Sequence, residues 1–198
     1  MTIDQAITFF IFSIVAAITP GPSNAMILST GSAVGAVRGL PCVLGASVGM
    51  GLLLFASALG LGQIVLARPQ LLHVMKWVGA AFLLWLAWKI ATSGRASDAA
   101  SAPAVGFVEA ASFQWINPKG WLVAVSAAAA YLQIGSEPPL WQALSFGLVF
   151  FCAALPSGLV WLALGAALHR LLKNERAARV FNIAMALALA TSVLLVLA

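Results

Sequence analysis

Two short motifs set proline beside hydrogen-bonding residues inside otherwise apolar sequence: Thr19-Pro20-Gly21-Pro22, followed by Ser23 and Asn24, and Asn117-Pro118-Lys119-Gly120. Proline has no backbone N–H and blocks the helical turn before it, so each motif frees carbonyls upstream and leaves N–H groups downstream. A helix restarting after the first break carries Pro22 in its first turn, where the missing donor costs little. It turns the N–H groups of Ser23, Asn24 and Ala25 toward the break. Such an end attracts an anion, for instance a carboxylate. Thr19, Ser23 and Asn24 add short side chains that can cap a helix or hydrogen-bond a ligand. Asn117 can orient a ligand or satisfy the carbonyls freed by Pro118. The competing account is a structural kink whose polar groups are satisfied by neighbouring helices.

Lys119 is the sharper chemical signal. If its apolar segment begins near Val105, about 1.5 Å of rise per residue carries it ~21 Å in, beyond easy snorkelling to the nearer surface. A charged lysine at that depth costs about 2.5–3.5 kcal/mol on insertion scales, so a partner is expected. Glu109, the one carboxylate of the same segment, is ten residues away and outside pairing distance on a helix. Three readings stand. A ligand carboxylate completes the pair; the lysine is neutral and takes up a proton during a cycle; or the helix starts later and the lysine reaches headgroups. Lys119 and Glu109 are the two candidates for ion coupling, although Glu109 lies about a turn from the segment's start, where a solvated carboxylate is equally at home.

The elements that must position these residues follow from composition. With 63% hydrophobic and 8% charged residues in 198, and a mean hydropathy of +1.05, the chain has too little polar surface for a soluble globule. The first segment begins at Asp4 and runs uncharged for 33 residues to Arg38, longer than a signal-peptide core, and is read as a retained span. Apolar runs predict six helices, at about 5–30, 40–66, 70–92, 105–133, 139–168 and 177–197. The first and fourth contain the proline motifs. Lys76 and Lys89 flank the third and can snorkel beside Trp77, Trp85 and Trp88. The pI near 9.9 does not indicate nucleic acid, because the ten Lys and Arg are scattered at helix ends and form no basic face.

Placing loops alternately on two sides gathers Arg38, Lys89, Arg95, Arg170, Lys173, Arg176 and Arg179 against Arg68 and Lys76, which puts both termini outside. Residues 93–104 become an interior linker between a first half, about 1–92, and a second, about 105–198. A single membrane domain over 1–198 is expected.

Sliding the chain by 98 residues pairs Pro20 with Pro118, Pro41 with Pro139, Ser47 with Ser145, Gly49 with Gly147 and Gly60 with Gly158. The register fails in the third helix of each half, where Trp77 to Ala91 meets Phe181 to Leu195 only with insertions. Three helices is an odd number, so the halves are expected to be inverted. The fold class is therefore an all-α integral membrane protein, six transmembrane helices as two inverted three-helix repeats, with helices 1 and 4 broken. Broken helices at membrane depth persist where they line a protected cavity, and paired halves suit alternating access.

Thr19-Pro20-Gly21-Pro22, the glycines Gly39, Gly45 and Gly49, the run from Lys76 to Leu83, and Asn117-Pro118-Lys119 together resemble the LysE/RhtB-type amino-acid exporter family over nearly the whole chain. That resemblance implies a bacterial inner-membrane secondary transporter exporting amino acids or close derivatives, driven by protons. The two breaks themselves make Thr19, Pro20, Gly21, Pro22, Ser23, Asn24, Asn117, Pro118 and Lys119 the substrate-binding candidates. Three positions depart from the family pattern. It often has an acidic or amide residue at Ser23, a tyrosine at Phe82 and a glycine near Ala110, and the first two bear on substrate identity. A basic amino acid would need a buried carboxylate, and the spans carry no clear one, so a neutral zwitterion is the expected cargo.

Other classes leave weaker traces. A membrane thiol-disulfide electron carrier would use Cys42 and Cys152, but these are not mates at the 98-residue offset. A metal-ion exporter would need paired carboxylates. His73 and His169 sit beside basic loops, with no cysteine or carboxylate at ligand spacing. No cofactor and no metal are expected. The glycine series Gly31, Gly35, Gly39 and Gly45, Gly49 reads as close helix packing, with a homo-oligomer as a secondary expectation. The partners are a small amino acid and the lipid bilayer.

Overall fold

The computed structural model describes residues 3–92, 104–132 and 139–171, with positions 176, 179–180, 183–184, 186–187, 190–191 and 193. Seven helices are formed among these: α1 (Ile3–Ile18), α2 (Pro22–Ala58), α3 (Leu61–Leu66), α4 (Pro69–Thr92), α5 (Phe107–Ile116), α6 (Pro118–Tyr131) and α7 (Pro139–Leu171). The expected linker lies almost wholly outside the described residues. So does most of the sixth predicted helix, although its described positions are helical.

Both proline motifs do break their helices. The last residue of α1, Ile18, and the last of α5, Ile116, are 98 positions apart, and Pro22 and Pro118 open the next segments. The first and second predicted helices need correction. Instead of a loop across 31–39, α2 is helical on both sides of one residue, Gly35, at φ 79° and ψ 177°. Only glycine adopts that conformation without strain.

The two arms fold back on each other. The Thr30 hydroxyl reaches the Cys42 thiol, and Ile27 and Val43 both border Gly158, pairs too far apart in sequence to meet along a straight helix. The second arm also ends earlier than expected, at Ala58, because Gly60 turns at φ 106° and α3 starts afresh. Gly35 is thus a turn residue, while Gly31 and Gly39 pack against Leu162 of α7 as the spacing suggested.

The arms of α2 form the centre, packed chiefly on α7 and then on α5. Close approach depends on missing side chains. A Cβ on Gly45 would lie 2.1 Å from the Phe107 carbonyl, and one on Gly49 2.5 Å from that of Ala111. Gly51 and Gly147 meet backbone to backbone in the same way. On the other side, buried Phe9 of α1 stacks on Phe146 of α7 with ring centres 4.5 Å apart. Phe9 and Phe107 are again 98 residues apart, and each packs its helix on a long helix, α7 and α2 respectively.

Polarity is distributed as a lipid-embedded bundle requires. Leu52, Leu122, Leu148, Val160 and Leu164 are exposed, whereas Asn24, Ser47, Gln114 and Asn117 are buried. Pro139–Leu168 is long and apolar enough to cross a membrane; Pro22–Ala58 is as apolar but folds back at Gly35. Trp77, Trp85 and Trp88 of α4 are exposed, as interfacial anchors would be.

Candidate functional site

The two breaks come together. Lys119, in the first turn of α6, extends its side chain across Gly21, and its ammonium donates to the Thr19 carbonyl 100 residues earlier in the chain. A Cβ on Gly21 would sit 2.9 Å from Lys119 Cδ and 3.2 Å from Nζ, so the absence of a side chain there makes the crossing passable. The partner sought for Lys119 in the sequence is therefore an internal one, the carbonyl end of a broken helix, where the helix dipole also favours a cation.

Further carbonyls at that end are also held. Asn24 donates from Nδ2 to Ala17 at 3.0 Å and to Thr19 at 2.8 Å. The Trp161 indole of α7 donates to Ile18 at 3.2 Å. The Thr19 hydroxyl, on an exposed residue, turns back to Val15. Asn24 is thus a helix C-cap from across the break. The first turn of α2 differs from expectation in one respect: the Ala25 N–H is used, donating to Gly21 at 2.9 Å. Those of Ser23 and Asn24 have no acceptor within their own helix.

At the second break Asn117 caps α6. Its side-chain oxygen accepts from the Lys119 N–H at 3.2 Å, and its amide nitrogen faces Gln114 Oε1 at 3.4 Å. Gln114, fully buried, donates from Nε2 to Ala110 at 3.0 Å and to the Ser23 hydroxyl at 3.1 Å. A polar chain therefore runs from Ser23 through Gln114 and Asn117 to the start of α6, tying the two breaks side chain to side chain. Trp121 reinforces it by donating to the Trp115 carbonyl at 2.8 Å.

Between these groups lies a small cavity of about 50 Å³, below the usual range for small-molecule sites. Ser23, Asn24, Ser47, Gln114, Asn117 and Lys119 supply its polar lining; Ile27, Met50, Val123 and Phe150 are among its apolar lining residues. Lys119 is the one charged side chain in this lining. Two helix N-termini, those of α2 and α6, open onto the same space.

Of the residues singled out in the sequence, Ser23, Asn24, Asn117 and Lys119 line the cavity, while Thr19, Pro20, Gly21, Pro22 and Pro118 shape the breaks around it. Glu109 is placed elsewhere. It is exposed in the first turn of α5, where its carboxylate accepts from the Gly106 N–H at 2.9 Å. Cys42 is buried, Cys152 is exposed, both are free thiols, and neither lines the cavity. Sequence reasoning missed Gln114 and Ser47. A glutamine in the middle of an apolar segment was a usable signal; its partner 91 residues away was not.

A membrane bundle whose two broken helices face each other across a polar-walled cavity defines a translocator. Residues 14–198 match the family model described as LysE type translocator, and the chain belongs to that family. Three relatives carry the name cysteine/O-acetylserine efflux protein. The one from Salmonella choleraesuis strain SC-B67 is 34% identical over 124 residues, 63% of this chain, and the match spans 64% of that relative's length. The Klebsiella pneumoniae protein is 31% identical over 82% of this chain and 83% of its own. The Escherichia coli K12 protein is 30% identical over 91% of each. No solved structure matches.

Proposed function

We propose that this protein exports small neutral amino acids or their close derivatives across the bacterial inner membrane by secondary-active alternating access. One observation carries the reading: the Lys119 ammonium and the open N-terminal turn of α2 share one cavity wall, a pairing that suits a substrate carboxylate. The substrate ammonium would compete with Lys119 and Asn24 for the carbonyls at the end of α1. A lining without a carboxylate argues against basic amino acids. The names of the relatives, which refer to cysteine and O-acetylserine, point to the same size and charge class.

In this reading the chain is one membrane domain of two inverted halves, with both termini outside and Arg38 at the inner surface. Correspondence of the breaks and of Phe9 with Phe107 supports the two-fold relation. Lys119 is the coupling group. A substrate carboxylate competes with the Thr19 carbonyl for its ammonium, so loading of the site and release of the α1 end are linked. Glu109 is the second candidate, acting from the end of α5.

The test is export from cells preloaded with mixed dipeptides, with every amino acid followed in the medium. Faster appearance of one or a few neutral amino acids, lost in Lys119→Ala at equal membrane abundance, is the expected result. A panel without any difference, or full export by Lys119→Ala, would overturn the assignment.

A further inference from the structure

The cavity's polar side chains are almost all committed to the protein itself. Asn24 holds two carbonyls of α1, Gln114 and Asn117 bond each other, Ser23 accepts from Gln114, and Lys119 caps Thr19. Ser47 differs. It is 2% exposed and lines the cavity from the second arm of α2, yet its hydroxyl makes no hydrogen bond to any described residue.

Three other helical serines turn back on their own backbone: Ser13 donates to Phe9, Ser157 to Ala153, and Ser145, 98 residues from Ser47, to Trp141, whereas buried Ser57 at the far end of α2, outside the cavity lining, has no partner. A hydroxyl within an apolar bundle that forgoes this bond is retained at a cost unless a partner arrives from the cavity. Its neighbour Ala46 lines the same wall with a methyl group, so nothing about packing demands the oxygen.

We propose that Ser47 is a substrate-contacting, specificity-determining residue, whose hydroxyl pairs with the polar atom in the side chain of a small neutral amino acid: a thiol, a hydroxyl or an ester carbonyl. The inference rests on the export reading above and adds the basis of its selectivity. The charged ends of the substrate are met at the breaks by groups that any amino acid would engage. Ser47 belongs to neither break: it lines the cavity from the arm after Gly35, with Met50 about one turn further along the same helix. A site with a donor and acceptor at that point favours a polar side chain over its apolar isostere, because the isostere leaves the hydroxyl unmet.

The experiment uses the full chain reconstituted into proteoliposomes under reducing conditions. It compares transport of cysteine with that of 2-aminobutyrate, which carries a methyl group in place of the thiol. The natural protein should half-saturate with cysteine at about tenfold lower concentration, the worth of one hydrogen bond. Ser47→Ala should bring the two within about twofold by weakening cysteine alone, and Ser47→Cys should keep part of the preference. Transport of 2-aminobutyrate by the variants is the internal control for folding. An undiminished preference in Ser47→Ala overturns the proposal, as does an equal loss of both substrates, which would make Ser47 structural. If the natural protein moves neither compound nor any other amino acid, the export reading fails and this inference fails with it.

Discussion

Lys119 is held by three features that a single substitution can separate: the ammonium on the Thr19 carbonyl, the backbone N–H on Asn117, and free passage over Gly21. Gly21 has an extended backbone, φ −175°, which any residue adopts, so alanine there introduces no backbone strain. Its methyl would collide only with the far end of a flexible side chain. Gly21→Ala is therefore expected to insert as the natural protein does and to lose about 1 kcal/mol with the displaced Lys119 contact, while cutting export several-fold. Membrane abundance measured beside export checks this, and unchanged export would mean that Lys119 need not cross Gly21. At this scale the sequence was informative wherever chemistry is local. Proline and glycine announce a break by themselves, and a lysine in an apolar run announces a need for a partner. The identity of that partner, a carbonyl 100 residues away, depends on tertiary packing.

Helix reversal at Gly35 shows what apolar periodicity leaves out. A hydrophobic run records which residues face lipid or protein, and carries no mark where one glycine turns the chain without a polar loop. The predicted connection across 31–39 was therefore too long, and the end of the second helix, placed at 66, falls at Ala58. Gly35 and Gly45 are both required, for different reasons. At φ 79° a side chain on Gly35 is strained although nothing lies within 4 Å, so Gly35→Ala should cost about 1–3 kcal/mol through the backbone. Gly45→Ala meets the Phe107 carbonyl instead and should cost about 1–3 kcal/mol through forced separation of α2 from α5. Thermal unfolding in detergent would register both. Because Gly45 meets only backbone atoms of Phe107, Phe107→Ala leaves the offending carbonyl in place and should not rescue Gly45→Ala. Unchanged melting of Gly35→Ala would remove the hinge assignment.

Across the whole molecule, the 98-residue correspondence was legible in prolines and glycines because these positions are fixed by backbone geometry, and it faded in the third helix of each half, where ordinary apolar residues interchange freely. The family relationship supplies the translocator class; the mechanism needs a test that reads both faces of the membrane. Val123 lines the cavity from α6 and takes no part in the hydrogen-bonded chain between the breaks. With Cys42 and Cys152 replaced by alanine, Val123→Cys offers a single thiol to a membrane-impermeant reagent. Replacement of the two natural cysteines should leave export intact, since neither lines the cavity; loss of export would revive thiol chemistry. If the two halves rock about a central site, that thiol is reachable from outside in one arrangement and from inside in the other, and each protein molecule exchanges between them. Labelling should then proceed from either face, and transported substrate should slow it from both. A pocket that opens permanently to one side would label from that side alone, and such a result would sink alternating access while leaving the cavity and its Lys119 contact in place.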